Sequence, residues 1–505
     1  MKQTAILLLS LMMGSVVMAQ VDPREAYERQ RQQMREQFER QKGAARQQYD
    51  AAKRKAEDEY AAFRKKANEE YAAAVQRAWQ QMGVEPAVPK PKEPAPPRPQ
   101  KPPQDEKPTT DPLPKGDVVP PPQETDPVPL PAIPEADVQA PTMQFAMYGT
   151  TCSVHTDVEG LRFTLSSVDE KGVSAAWKQL SQKKYDGLLH DCIAQCETLH
   201  LSDWGYLQLL GRMSEQLVGK GSNEAVLLQM YLLAQSGYRV RLARKDNRLV
   251  LLMPFNHTIY NYAYITIDGI KHYVLSSTKT GNVSVCQVAF PRERMADIRM
   301  TQLPTLGSEG ASASSTANRQ RTLRGEKFGT MKATVEVQQS LIDYLGDYPL
   351  SDAWDYYALA GLSDQVKGTL YPALRSQIEG KSMKKAATML LDFVQTAFDY
   401  ATDQEQFGYE RPLFADESIY YPKNDCEDRS IFYSILVRDL LGLDVVLVHW
   451  PGHLATAVAF SETVEGDYFT IDGRRYTVCD PTYIGAGVGG TMPQFKNVEA
   501  KLVKL

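Results

Sequence analysis

The sequence predicts an α+β protein whose folded part consists of two related halves, preceded by one long α-helix and a proline-rich segment. Three patterns lead to this prediction. Large side chains recur at a fixed interval near the N-terminus, prolines cluster after them, and helical and strand-like stretches then follow each other twice in the same order. A chain of 505 residues has room for such a multi-domain arrangement.

Residues 1–19 have the layout of a secretory signal peptide. One lysine is followed by a short apolar run and by small residues that end at Ala19. The apolar run is too short to span a bilayer, and no other stretch of the sequence reaches about 18 apolar residues. We therefore expect an exported bacterial protein, in the periplasm, at the cell surface or secreted, without a transmembrane segment.

Residues 20–83 have the composition of a long charged helix. Large side chains recur there with a period of eleven, at Tyr27, Phe38, Tyr49, Tyr60, Tyr71 and Met82. Such a period is about 3.67 residues per turn, so these side chains share one face of a helix about 90 Å long. We expect a coiled-coil-like segment that self-associates through residues 21–83. A lone helix stabilised by its own paired charges is the alternative.

Two stretches have the composition of linkers. Residues 84–141 hold about twenty of the chain's 31 prolines, which predicts a disordered, extended spacer. Residues 307–325, rich in Ser, Ala, Gly and Arg, predict a second linker. The two folded halves are then residues 142–306 and 326–505.

The halves repeat one order of patterns. Each opens with a strand-like stretch, continues through a Ser-x-Ala-Trp segment at 174–177 or 351–354, and reaches a hairpin around Asp-Gly. The hairpins read YITIDGIKHYVL from Tyr264 and YFTIDGRRYTVC from Tyr468. We interpret this pattern as an internal duplication. A coincidental match is the alternative, because TIDG suits any β-hairpin.

The charge balance and the cysteines exclude some classes of function. The formal net charge is -5, so the chain lacks the basic excess that nucleic-acid binding requires. Six cysteines are too sparse for a disulfide scaffold, and their pairing is left open. Cys192 and Cys196 have no second Cys or His pair at zinc-finger spacing, so we expect buried thiols there.

Cys426 opens a helical pattern in the second half. The apolar residues Ile431, Ile435, Leu436 and Leu440 follow it at helical spacing, which places the thiol at a helix N-terminus. Free backbone amides and the helix dipole stabilise a thiolate at that position. Cys426 is therefore the candidate nucleophile.

A histidine and a carboxylate complete the pattern. His453 follows a Pro-Gly dipeptide at the mouth of the strand LATAVAF, whereas His449 ends a buried strand, so we favour His453 as general base. Asp480 ends the next strand and is placed to hold the imidazole in the required tautomer. Its rival Asp472 occupies a hairpin turn that the first half repeats at Asp268, which indicates a structural role.

The order of these residues resembles the bacterial transglutaminase-like group of cysteine proteases. The motifs are DCED around Cys426 and PGH at His453, followed by Asp480, and the resemblance is strongest over residues 414–483. It implies papain-like domains in tandem, a protein or peptide substrate, and cleavage or rearrangement of amide bonds through a thioester. The nucleophile, base and orienting residue would be Cys426, His453 and Asp480.

The resemblance also implies an oxyanion hole and allows a metal. The oxyanion would be held by the cysteine's backbone amide and an upstream side chain, for which Gln395 and Gln406 are unranked candidates. Three carboxylates beside the thiol should raise its pKa, so something must neutralise them. Arg429 is one candidate, and a calcium ion is the other. The calcium ligands would be Asp425, Glu427 and Asp428.

The first half lacks these residues. At the matching positions it has Asn223, Arg248 and either Ser276 or Ser277, none of which performs thiol chemistry. We expect a degenerate copy that binds or braces, attached to an exported peptidase or amidase. The alternative is a non-catalytic cell-envelope scaffold, in which both halves bind peptides or cell-wall material and the N-terminal helix assembles copies.

Overall fold

A computed structural model describes residues 23–92, 94, 96–102, 110–121, 139–276, 281–291, 293–307 and 318–505, and its fold is mixed α+β. The predicted signal peptide, 1–19, lies outside these residues. The helices are α1 Pro23–Val75, α2 Val158–Leu161, α3 Glu170–Ser181, α4 Asp186–Thr198, α5 Asp203–Val218, α6 Asn223–Gln235, α7 Gln339–Gly346, α8 Trp354–Leu359, α9 Asp364–Ile378, α10 Met383–Thr396, α11 Asp403–Gln406, α12 Ala415–Tyr420 and α13 Cys426–Leu441. Among the described residues, no helix has the length and apolar character needed to cross a membrane.

The strands are β1 Trp79–Val84, β2 Lys115–Val119, β3 Thr142–Met147, β4 Thr150–His155, β5 Arg241–Lys245, β6 Arg248–Met253, β7 Tyr264–Ile267, β8 Ile270–Val274, β9 Gly281–Cys286, β10 Arg319–Arg324, β11 Lys332–Val337, β12 Asp399–Tyr400, β13 Lys423–Asn424, β14 Asp444–Trp450, β15 His453–Ala459, β16 Tyr468–Ile471, β17 Arg474–Cys479 and β18 Ala500–Lys504. Within the described ranges, the first half builds a sheet in the order β1-β9-β5-β6-β8-β7, and the second builds one in the order β16-β17-β15-β14-β18-β2.

The two sheets have matching strand orders. From one edge, each sheet begins with the Asp-Gly hairpin, which is β7 and β8 in the first sheet and β16 and β17 in the second. Next come the two strands that follow a buried helix, β6 and β5 or β15 and β14. Each sheet ends with the last strand of its half, β9 or β18, and then a strand from before residue 142, β1 or β2. They differ at the far edge, where β1 runs antiparallel to β9 but β2 runs parallel to β18. Both hairpins turn through Asp and Gly residues of positive φ, at Asp268–Gly269 and Asp472–Gly473. That geometry is the turn expected from an Asp-Gly pair.

Helix α13 is the central helix of the second half. Its residues from Cys426 to Val437 are all buried, and Gly442 ends it with φ of 64°. The hydroxyl of Ser430 donates to the carbonyl of Leu454, which ties the first turn of α13 to the start of β15. A helix buried on all sides is apolar around its circumference, apart from residues with specific partners. This packing brings the start of α13 next to the start of β15.

The predicted helix over residues 20–83 differs from the structure at its C-terminal end. Helix α1 ends at Val75, and residues 79–84 form β1, in which Met82 pairs with Val283 of β9. The end of α1 packs on the first half, where Tyr71 is buried against Trp177. Pairing with the sheet thus overrides the helical period at its last repeat. The chain divides into two compact units, the residues up to Phe63 and those from Arg64 onward.

The two predicted linkers contain ordered pieces. In the proline-rich segment 84–141, β2 forms the edge of the second sheet, and Leu113 lies in that sheet's core. In the segment 307–325, β10 pairs with β11. Edge strands tolerate neighbouring prolines because one side of such a strand needs no partner. The prediction of a disordered spacer throughout 84–141 is therefore wrong for these pieces. Residues 103–109, 122–138 and 308–317 lie outside the described parts.

Candidate active site

Cys426 is the first residue of α13 and is 2% exposed. Its sulfur accepts a hydrogen bond from the backbone N–H of Leu454, the second residue of β15. The thiol donates to Oε2 of Glu427 at 3.2 Å. Burial raises the pKa of Cys426 well above its usual value, and the charges of Glu427 and Asp425 raise it further. The sulfur is thus held as a thiol in this arrangement.

His453 and Asp480 form a hydrogen-bonded pair. His453 Nε2 lies 2.9 Å from Oδ2 of Asp480, and both side chains are buried. The other carboxylate oxygen, Oδ1, accepts the backbone N–H groups of Thr482 and Tyr483 at 2.8 and 3.2 Å. Because the carboxylate is fixed from the backbone, it fixes the imidazole tautomer with the proton on Nε2. Nδ1 of His453 is buried and has no hydrogen-bond partner among the described residues.

Aromatic rings hold the imidazole in its plane. The ring of His453 stacks on that of Phe495, with centroids 4.9 Å apart and planes 9° apart. Trp450 stacks on the same imidazole at a centroid distance of 6.0 Å. Stacking on both rings restricts rotation of the side chain, so the free Nδ1 keeps one direction.

Cys426 and His453 line one cavity of about 210 Å³, here called the Cys426 cavity. Trp354 and His449 line it on one side, and their rings lie 4.4 Å apart. Its other protein walls come from Gly452, Leu454, Asp425, Glu427, Thr402, Asp403, Gln404, Glu410, Lys92, Pro94 and Pro96. The structure therefore brings the predicted nucleophile and base to one cavity, with the predicted orienting carboxylate behind the base. Asp472 lies apart in its hairpin turn, where it pairs with Lys504 at 2.7 Å.

Carboxylates gather beside the thiol in two overlapping groups. Oxygens of Asp403, Asp425 and Asp428 lie within 4.8 Å of one another, and so do those of Asp403, Glu410 and Glu427. Burial, together with repulsion among these groups, raises the pKa of Asp403 to about 10 and that of Asp428 to about 8. Asp425 is buried, its pKa is raised well above the usual value, and its Oδ1 has no hydrogen-bond partner among the described residues.

This donor set suits a hard divalent cation. Carboxylate oxygens are the ligands that calcium takes in proteins, and the unpartnered Oδ1 of Asp425 leaves one of them available. Of the predicted ligands, Asp425 and Asp428 lie in one group and Glu427 in the other, with Asp403 in both. Sequence reasoning missed Asp403, the first residue of α11, and Glu410, which lies in the loop between α11 and α12. A Thr-x-x-Glu capping box around α11 is the signal that places this region in a defined position.

Arg429 hydrogen-bonds to backbone carbonyls, although the charges of Asp425 and Asp428 also act on its guanidinium. Its guanidinium donates to the backbone carbonyls of Gln395 and Phe398 at 3.1 and 2.9 Å. The side chain therefore braces the end of α10 against α13. As a neutralising partner for Asp425 and its neighbours, Arg429 is a poorer candidate than the sequence indicated.

The two glutamine candidates for the oxyanion hole have other partners. Gln395 is buried, and its amide nitrogen donates to the carbonyls of Asp480, Tyr483 and Ala486. Its oxygen accepts the N–H of Gly485. Gln406 donates to the carbonyl of Lys423 and does not line the Cys426 cavity. The side chain of Gln395 therefore braces the loop behind Asp480, and it does not line the Cys426 cavity.

Trp354 is the polar donor that sequence reasoning missed. It lines the Cys426 cavity, and its indole Nε1 is buried without a hydrogen-bond partner among the described residues. A buried N–H without an acceptor costs free energy, which suggests that a ligand or a transient species accepts its hydrogen bond. The repeated Ser-x-Ala-Trp segment contained this residue, but the repeat alone indicated only a shared fold.

The first half has a larger cavity at the matching place. Asn223 opens α6, Arg248 opens β6, and both line a cavity of about 1180 Å³ together with Ser276. Asn223 is occupied in bracing, because its side chain accepts from Leu249 N and donates to the carbonyl of Asn247. Tyr409 and Arg411 of the second half also line this cavity, here called the Asn223 cavity.

Comparison of this chain with protein-family models, with curated proteins and with solved structures finds no match.

Proposed function

We propose that this chain is an exported thiol hydrolase, a peptidase or amidase of the transglutaminase-like type, with Cys426, His453 and Asp480 as its triad. One observation carries the proposal. His453 is bonded through Nε2 to Asp480 and presents an unpartnered Nδ1 in a cavity that Cys426 also lines. A nucleophile, a base and a group orienting that base are the parts that covalent acyl transfer requires.

The residues divide the reaction between them. Nδ1 of His453 accepts the thiol proton, and the sulfur of Cys426 adds to the carbonyl carbon of an amide. The imidazolium, stabilised by Asp480, then returns the proton to the departing amine, which leaves a thioester on Cys426. Water, deprotonated by His453, hydrolyses that thioester and regenerates the thiol. If an amine takes the place of water, the same intermediate yields a new amide bond.

Two donors would stabilise the tetrahedral oxyanion. One is the backbone N–H of Cys426, which is free of an intrahelical acceptor because it starts α13. The other is the indole N–H of Trp354, which lines the cavity and has no acceptor among the described residues. Each such donor contributes roughly 3 kcal/mol to the transition state.

We also propose that calcium supports this activity. Asp403, Asp425, Asp428 and Glu427 would hold the ion, and its positive charge would offset the burial and the carboxylate charges that keep Cys426 protonated. Without an ion, burial and mutual repulsion raise the pKa values of Asp403, Asp425 and Asp428 and favour their protonated forms. With one, they bind as carboxylates and release protons.

The proposal is tested by profiling a library of peptides with the purified protein lacking residues 1–19. We expect cleavage by the wild type in calcium, loss of cleavage in Cys426→Ala, and much weaker cleavage in EDTA. Cys196→Ala is the matched control, because that thiol is partly exposed and remote from the cavity. Cleavage that survives Cys426→Ala would refute the assignment of the nucleophile. Equal cleavage in EDTA would refute the role of calcium alone.

A specific observation also favours a binding role for the first half. The Asn223 cavity is large, and its lining includes the aromatic residues Trp204, Tyr260, Tyr262, Tyr348 and Tyr409. Aromatic rings with interspersed polar groups suit peptides or cell-wall glycans. If Cys426 proves catalytically inert while such ligands bind, the chain is the scaffold protein of the alternative hypothesis.

A further inference from the structure

Part of the proline-rich segment lines the Cys426 cavity. This part, here called the strap, consists of residues 88–92, 94 and 96–102. At its N-terminal end, the carbonyl of Val88 accepts from the backbone N–H of Asn261 in the first half at 2.8 Å. At the other end, the carbonyl of Gln100 accepts from the N–H of Ile484 in the second half at 2.8 Å. The strap is therefore anchored to both halves.

The middle of the strap forms one wall of that cavity. Lys92, Pro94 and Pro96 line it together with Cys426 and His453. The carbonyl of Pro94 approaches the turn before His453 so closely that a Cβ on Gly452 would lie 2.5 Å from its oxygen. Gly452 has φ of 74°, so both its conformation and this close approach require glycine. The strap thus lies against the turn that positions the base.

A buried ion pair holds the strap down. The side chain of Lys90 is 5% exposed, and its Nζ lies 3.6 Å from Oε1 of Glu410. The same ammonium lies 6.0 Å from the ring centroid of Trp354. Arg98 and Glu405 form a second pair at 3.0 Å, but both side chains are largely exposed. Removing one partner of a buried ion pair strongly destabilises the structure, whereas an exposed ion pair contributes little to stability. Lys90 therefore contributes more than Arg98 to holding the strap in place.

We propose that the strap occupies the substrate cleft as an intramolecular occupant, which keeps Cys426 inaccessible until the strap is displaced. Its shape supports this role, because proline-rich chain is extended like a peptide in a cleft and loses little entropy on binding. Its chemistry supports it too, since prolines at 94 and 96 provide no N–H for recognition in the cleft. The identity of the cleft rests on the function proposed above, but the occlusion of Cys426 does not.

The consequence for substrates follows from Lys90. The pocket that receives its ammonium consists of Glu410 and Trp354, an anion and an aromatic face. A polypeptide that replaces the strap would place a Lys or Arg side chain in this pocket. The substrate class is thus an extended polypeptide with a basic side chain.

The test measures alkylation of Cys426 by iodoacetamide in the full-length mature protein, followed by mass spectrometry at one pH in calcium. Lys90→Glu should accelerate alkylation at least about tenfold, because it replaces the buried cation with a second anion beside Glu410. Lys101→Glu is the matched control, since it makes the same charge change at an exposed strap residue. It should react at the wild-type rate. A 15-residue peptide with the sequence of residues 88–102 should slow the alkylation of Lys90→Glu again.

The outcomes separate the two proposals. Equal alkylation rates in Lys90→Glu and in the wild type would overturn the strap as an occluding segment. If Lys90→Glu fails to unfold cooperatively on heating, the double variant Pro94→Gly, Pro96→Gly replaces it, with the same expected acceleration. An accessible Cys426 that cleaves no peptide would refute the hydrolase and leave the strap standing. Full cleavage by the wild type that Lys90→Glu does not increase would refute the strap as an occluding segment and leave the hydrolase standing.

Discussion

Trp354 is the residue on which the proposed oxyanion hole can be tested most directly. Trp354→Phe keeps an aromatic ring beside His449 but removes the N–H together with the rest of the five-membered ring, so kcat should fall by about a hundredfold with little change in KM. Steady-state kinetics on a cleaved peptide measures the effect. Trp204→Phe is the control, because its Nε1 is also buried without a partner but lines the Asn223 cavity instead. A similar loss in both variants would indicate a structural role for Trp354.

Asp416 makes the stability of the second half depend on pH. It is fully buried in α12, accepts from Ser363 N at 3.0 Å and from the Ser363 hydroxyl, and burial raises its pKa to about 6. A raised pKa means that the folded state favours the proton. The stabilisation of the fold that comes from protonated Asp416 is therefore complete below the ordinary pKa near 4, and it is lost as pH rises through about 6.

Asp416→Asn should remove this dependence, because an amide does not titrate; its oxygen can accept the N–H of Ser363 while its nitrogen donates to the Ser363 hydroxyl. Relative to the wild type, the variant should gain up to about 3 kcal/mol in free energy of unfolding between pH 4 and pH 7. Urea unfolding at several pH values measures the difference. Parallel curves for the two proteins would show that the carboxylate stays ionised when buried.

The sequence predicts part of the site because some positions follow from local pattern alone. A helix start at Cys426, a strand start at His453 and a strand end before Asp480 are readable from spacing and turn residues. The roles of Trp354 and Asp403 are not, since they depend on a buried, unpartnered atom and on contacts between distant segments. Such features arise only when the chain is packed.

At the scale of elements, hairpins are predicted better than single strands. The two Asp-Gly hairpins pair as their alternation predicts, because both strands and the turn are local. Strands β1 and β2 were missed, because their pairing partners β9 and β18 lie far along the chain. Strand β2 is a short stretch between prolines, so composition averaged over residues 84–141 conceals it.

The N-terminal part of α1 carries a prediction of its own. Phe38 and Tyr49, eleven residues apart, are 62% and 68% exposed, as expected for a face awaiting a partner. If residues 21–83 mediate self-association, Phe38→Ala with Tyr49→Ala should shift the full chain toward the monomer in sedimentation equilibrium. Gln47→Ala with Gln48→Ala is the control. A wild type that stays monomeric at the highest concentration would refute the assembly role.

At the scale of the whole molecule, the second half is not contiguous in sequence. Its sheet includes β2 and its core includes Leu113, both of which lie N-terminal to residues 142–306. Contacts also join the halves directly, since the hydroxyl of Tyr348 donates to the carbonyl of Ile298. The boundary at residue 326 therefore describes a repeat of patterns and not an independent folding unit.

A fragment of residues 326–505 should accordingly be less stable than the intact chain. It lacks the edge strand β2 and leaves the apolar contacts of Leu113 unfilled, a loss of roughly 2–5 kcal/mol for the leucine alone. A peptide of residues 110–121 should raise the melting temperature of the fragment by mass action. A peptide with Leu113→Ser is the control and should raise it less. A fragment as stable as the full chain would show that β2 is dispensable.

Strand β2 also determines the order in which this protein can fold. Lys115 pairs with Ala500, so nearly the whole chain must be synthesised before that edge of the second sheet can close. Pairings between distant residues form slowly, because the entropy of closing the loop is lost before the contact stabilises anything. The strap precedes β2 in the chain and reaches its final position only when its C-terminal anchors have formed. If the strap occludes Cys426 as proposed, this occlusion is a late event in folding, and a newly made molecule passes through a stage in which its thiol is uncovered.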